Sequence, residues 1–130
     1  VGIADEKYVL CTTFRRSGEP VATPVWIAAL DERRVGFTTE GTSGKAKRLR
    51  NDAAMTLQAC DSRGRILAGS TAMSVTAEVV SGDDAVWVAA AIKQKYGIQV
   101  TMIQVFYALR NLFTRRPPTE TVGIVITLPD

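Results

Sequence analysis

Over much of this chain every second residue is apolar, the spacing that sends alternate side chains to one face of a strand. The first such run is Tyr8–Phe14, "YVLCTTF", followed by the turn-forming "RRSGEP". A second covers 21–30, "VATPVWIAAL", and ends at the polar turn "DERR". Residues 35–39, "VGFTT", and Ala54–Cys60, "AMTLQAC", make a third and a fourth. Beyond the turn "DSRG", a fifth lies within 70–80, where Met73, Val75, Ala77 and Val79 alternate with polar neighbours. The closing run, 121–128, is "TVGIVITL". Short strands separated by turn residues predict an antiparallel sheet with hairpin connections.

Two segments change to a helical period. One starts at Ser43, a good N-cap, and places Ala46, Leu49 and Ala53 on one stripe at 100° per residue, flanked by Lys45 and Arg50. The other is Asp83–Tyr96, capped by Ser81 or Asp83 and stopped by Gly97. Residues 100–113 are β-branched at first and helical later, so either element suits them. "RRPPTE" after them reads as a loop. The expected architecture is mainly β with helices (α+β): about six antiparallel strands in a small β-barrel, plus two or three helices. The 130 residues suit one domain, 1–130.

Charge makes the two helices unlike. Asp83 and Asp84 open the longer one and Lys93 and Lys95 close it, as the helix dipole prefers. The shorter one does the reverse: "TTEGTSGKAKRLRND" places Lys45, Lys47 and Arg48 in its first turns and an acid only at Asp52. Like charges at the positive end cost a few tenths of a kcal/mol each. A solvated basic face would bear that cost; a phosphate on Ser43, Gly44 and Lys45 would reverse it. The nucleotide-binding pattern G-x-x-x-x-G-K-[ST] is not met, which argues against an NTPase. A net charge of +3 permits an anionic ligand but is too small to predict nucleic acid.

Pro24 interrupts the second strand, which fits an edge strand or bulge, or a strand bent so that its backbone faces a flat ligand. Trp26 beside it suits the core or an interface, or stacking on an aromatic ring. There is no histidine, which excludes Ser/His/Asp triads, Cys/His dyads and most zinc chemistry. No metal is expected, and no catalytic residue stands out. Cys11 and Cys60 form no C-x-x-C pair and read as free thiols in a cytoplasmic protein. Cys60, near Arg63 and Arg65, has no base to activate it and reads as a buried strand-end thiol. Val1 and its neighbours do not read as a signal peptide, and no apolar stretch reaches the ~20 residues of a membrane span.

Taken in order, "YVLCTTFRRSGEPVATPVWIA", "FTTEGTSGKAKRLRND", "CDSRGR" and "KQKYG" resemble the pyridoxamine 5′-phosphate oxidase-like split β-barrel proteins. They are most similar to the actinobacterial branch that uses the deazaflavin coenzyme F420. The resemblance implies an FMN-binding split barrel that forms a homodimer, with a flavin or deazaflavin in a groove at the interface. It implies phosphate binding by Ser43, Gly44, Lys45, Lys47 and Arg48, and a ring facing Thr23, Pro24, Val25 and Trp26, with Thr38 and Thr39 on the strand before the basic helix. It further implies an F420-dependent oxidoreductase acting on a small-molecule substrate. FMN is the alternative cofactor, and a carrier without turnover the alternative function.

Overall fold

The computed structural model describes residues 2–97 and 121–129. Seven strands form one antiparallel sheet: β1 (Tyr8–Phe14), β2 (Pro20–Val25), β3 (Ala28–Ala29), β4 (Arg34–Glu40), β5 (Ala54–Cys60), β6 (Met73–Val80) and β7 (Thr121–Thr127). A 3-10 turn, Ile3–Asp5, precedes β1. Helix α1 (Gly44–Asn51) joins β4 to β5, and α2 (Asp83–Tyr96) follows β6. The strand order is β2-β1-β5-β6-β7-β4-β3.

That order forces the sheet to curl. Strands β2 and β3 are its opposite edges, yet only Trp26 and Ile27 separate them in sequence. In a flat seven-stranded sheet the edges would stand about 29 Å apart. A two-residue link spans no more than about 11 Å. The sheet therefore closes on itself, and the fold is a split β-barrel. The expected single strand over 21–30 is accordingly two strands with a corner at Trp26–Ile27, which gives seven strands among the described residues rather than six. Pro24 lies on an edge strand, opposite Leu10, where its missing N–H is tolerated.

Val9, Cys11, Phe37, Met55, Leu57, Ile124 and Ile126 fill the interior. The alternation in β6 holds, with Val75 and Ala77 buried between exposed neighbours. β7 is buried continuously from Val122 to Ile126 because both of its faces are covered. One cover is α2, whose fully buried Val88 lies over Gly36 of β4 and Gly123 of β7. A Cβ at Gly123 would meet Val88 at 3.0 Å, so these glycines let the helix approach. Helix α2 is capped by Gly82 without a side-chain bond, rather than by Ser81 or Asp83, and ends at Gly97 with φ +57°. The ambiguous segment 100–113 and the "RRPPTE" loop lie outside the described residues.

Candidate functional site

Helix α1 begins as the sequence indicates. Ser43 Oγ accepts the Ala46 N–H at 3.2 Å and is itself met by the Thr39 hydroxyl at 3.0 Å. The Lys47 N–H goes to the Ser43 carbonyl, while among the described residues no partner takes the N–H groups of Gly44 and Lys45. Ala46 and Leu49 are buried, but Ala53, expected on the same stripe, is exposed because the helix ends at Asn51. Arg48 is held from below: its Nε donates to the fully buried Thr13 hydroxyl at 2.6 Å. Its terminal nitrogens fold back over the first turn, where a Cβ on Gly44 would stand 2.6 Å from Nη1.

Among the described residues Lys45, Lys47, Arg48 and Arg50 have no acidic partner. Ion pairs sit elsewhere, as in Arg34–Asp31 and Arg65–Asp61. Lys45 is half-buried. An ammonium in that position loses hydration and opposes its own helix dipole, so the site is electrostatically incomplete.

Two grooves flank this helix. The first, of about 320 Å³, brings together six of the eleven residues singled out in the sequence: Pro24, Val25, Trp26, Thr38, Thr39 and Lys45. Phe37 and Ile92 complete its wall. The second, of about 540 Å³, takes Gly44, Lys47 and Arg48 together with Phe14, Arg15, Arg16, Arg50 and Asn51. The basic segment thus divides, with Lys45 facing one groove and Lys47 and Arg48 the other. Ser43 lines neither groove and acts as the cap. Thr23 also lines neither; its buried hydroxyl has no hydrogen-bond partner.

The aromatic expected to stack on a ligand already has a partner. Trp26 lies on Tyr96 of α2, ring centroids 4.6 Å apart and planes 9° from parallel, which leaves one indole face. Sequence reasoning gave Tyr96 no defined role and missed Phe37 and Ile92, which read as ordinary core positions, and Thr13, whose partner Arg48 lies 35 residues away. Cys11 and Cys60 are free and buried. Burial pushes the Cys11 thiol up to about 12, against the pull of Lys45 and Arg48. Burial, and then Asp61, also raise Cys60. Neither thiol is a nucleophile at neutral pH.

A curled antiparallel barrel with a basic helix at its rim and a cleft beside an edge-strand proline places the chain in the class of split β-barrels. The family described as Pyridoxamine 5′-phosphate oxidase matches residues 2–127, and this chain belongs to it. Solved structures with the same fold include an F420 reductase, at 15% identity over 98% of this chain and 91% of that one, TM-score 0.61. A conserved hypothetical protein from Mycobacterium tuberculosis is 18% identical over 98% and 76%, TM-score 0.66. The heme storage protein HutZ from Vibrio cholerae is 10% identical over 98% and 85%, TM-score 0.68. Comparison with curated proteins found no match. Among the described residues, no helix is long and apolar enough to cross a membrane.

Proposed function

We propose that this protein, as one split-barrel domain over 1–130, is an oxidoreductase that uses coenzyme F420, with FMN as the alternative cofactor. Its substrate would be a small unsaturated or carbonyl-containing molecule. The observation that carries the reading is the first groove, where an apolar wall at Pro24–Trp26 meets a half-buried lysine without an acidic partner. The donor set fits a phosphate: two free N–H groups at the start of α1, the Lys45 ammonium and the Arg48 terminal nitrogens. Thr13 holds Arg48 by Nε and so leaves its outer edge for an anion.

A deazaflavin bound here would supply a two-electron hydride transfer, since carbon replaces the ring nitrogen through which flavins also run one-electron chemistry. The chain itself binds, orients and excludes water. Val25, Phe37 and Ile92 provide the apolar surface, and Thr38 and Thr39 provide hydroxyls along its edge. The groove is at the low end of the ~300–1,000 Å³ range for small-molecule clefts, so it suits a ring system rather than a whole cofactor. The remainder would extend across α1 toward the second groove, whose arginines and lysine match a tail of carboxylates. Arg65, paired with Asp61 at 2.8 Å, is poorly placed for that role.

The fold shared with an F420 reductase permits this reading without choosing the cofactor. The fold shared with a heme storage protein supports a second one, a carrier without turnover. Against a haem carrier, the chain has no histidine to act as axial ligand, and its thiols are buried and held protonated. Titration of the protein with F420 and FMN at low and high salt tests the assignment. F420 should bind more tightly, with an advantage that shrinks as salt rises, because exposed charges are screened over about 8 Å at physiological ionic strength. Tighter FMN binding at low salt would transfer the assignment to FMN, and tight binding without turnover would favour the carrier.

A further inference from the structure

The corner that closes the barrel has no sheet neighbour of its own. Trp26 and Ile27 lie between β2 and β3, outside both strands, and Ile27 is fully buried. Buried backbone groups must find partners, and here the last turn of α2 supplies them. The Ile27 N–H donates to the Tyr96 hydroxyl at 3.1 Å. The Ile27 carbonyl accepts from Lys95 Nζ at 2.6 Å and lies 3.0 Å from the same hydroxyl. Tyr96 also reaches the Lys7 carbonyl at 2.8 Å, and Lys95 Nζ the carbonyls of Ala4 and Glu6. The N-terminal segment, the barrel corner and the end of α2 are thus tied through two adjacent side chains.

The residue before this anchored position is Trp26, a wall of the first groove, and its indole lies flat on the Tyr96 ring. The backbone of β2 stops at Val25, so no ladder fixes where that indole stands. We propose that Tyr96 is a positioning residue for the ligand groove. Its hydroxyl fixes the corner backbone, its ring fixes the plane of Trp26, and α2 thereby sets the width of a site that Tyr96 does not line. Ile92, one turn earlier on the same helix, lines that groove directly, so helix and wall move as one unit. The inference rests on reading this groove as the ring site of a flavin or deazaflavin.

The sequence holds two tryptophans, so Trp87→Phe leaves Trp26 as the sole indole reporter. In that background Tyr96→Phe keeps the ring and removes the hydroxyl, whereas Tyr96→Leu removes both. Three quantities are compared in variants that melt cooperatively well above the assay temperature. They are the near-UV circular dichroism of Trp26, its quenching by acrylamide, and the dissociation constant for FMN as probe. Tyr96→Phe is expected to make Trp26 more accessible to acrylamide and to weaken FMN binding about fivefold, the scale of one net hydrogen bond. Tyr96→Leu should also flatten the near-UV signal; if it does not fold, Tyr96→Phe alone decides. Folded Tyr96→Phe with unchanged quenching and unchanged FMN affinity overturns the proposal, as does weaker FMN binding without any change at Trp26. If the unsubstituted protein binds neither FMN nor F420, the reading of the groove fails separately. Quenching and near-UV dichroism then decide the Tyr96–Trp26 coupling by themselves: a change supports it, and no change overturns it.

Discussion

Lys45 is placed where an anionic ligand would be favourable. It sits half-buried at the positive end of α1 with no carboxylate beside it. Lys45→Ala should weaken cofactor binding by about 1.5–3 kcal/mol, the range for a hydrogen bond to a charged group. Without cofactor, the same change should leave stability unchanged or slightly raised, because it removes a cation from a helix N-terminus. Calorimetric titration paired with thermal melts separates the two effects, and equal affinity would remove Lys45 from the site. Cys11 makes a second prediction. Its thiol stays protonated in the folded protein up to about 12, while in the unfolded chain it ionises near the ordinary value of 9.0. Above pH 9 the unfolded state therefore gives up a proton that the folded state keeps, and stability falls as pH rises from 9 toward 12. The slope from this group approaches about 1.4 kcal/mol per pH unit. Urea melts of wild type and Cys11→Ala should therefore diverge by about 1.4 kcal/mol in total between pH 8 and pH 10, half the limiting slope on average because the unfolded thiol is still titrating there.

Among the elements, glycine lets α2 approach the sheet and leaves room for Arg48 over the first turn of α1, against neighbours of different stiffness. A Cβ at Gly36 would stand 2.7 Å from the Ile124 carbonyl and 2.9 Å from Leu30 Cδ1, beneath Val88 of α2. Backbone cannot give way as a side-chain tip can. Gly36→Ala should therefore cost about 1–3 kcal/mol of stability by overpacking, read from urea unfolding. At Gly44 the nearest atom is the flexible end of Arg48. Gly44→Ala should fold with little loss yet displace the guanidinium and weaken anion binding, seen as a reduced response to added phosphate or FMN. A Gly44→Ala protein with full affinity would show that Arg48 does not contribute. The two helices differ in charge only at their starts, and the same division of roles lies behind that. Helix α2 opens with Asp83 and Asp84 and packs, whereas α1, which ends on Arg48 and Arg50 as the dipole prefers, has Lys45 and no acid at its start, at the rim of two grooves.

For the whole molecule, one cleft of about 320 Å³ encloses too little of a dinucleotide-sized or tailed cofactor to hold it alone. A groove completed by a second copy would resolve this, and exposed Val86 and Trp87 on α2 and Ile66 and Leu67 after β5 supply apolar surface for contacts. Sedimentation with cofactor bound should give a dimer at micromolar concentration; a monomer would require the two grooves of one chain to suffice.

What the chain determined by itself is what local spacing encodes. Period-two runs marked β1, β5 and β6 and a continuous apolar run marked β7, while the Ser43 cap set the start of α1 and Gly97 the end of α2. The lysines after Ser43, with no acid beside them, marked the basic rim, because the dipole rule compares residues within one turn, although Arg48 and Arg50 fall in the last turn, where that rule favours them. The corner at Trp26–Ile27 was not legible, since nothing in "VATPVWIAAL" tells a continuous strand from one that leaves one sheet edge for the other. Nor could spacing divide the basic segment between two grooves, give Trp26 to Tyr96 or place Thr13 under Arg48. Those contacts join residues 35 to 70 positions apart. They exist only because the sheet closes, and closure is decided by how all seven strands pair at once.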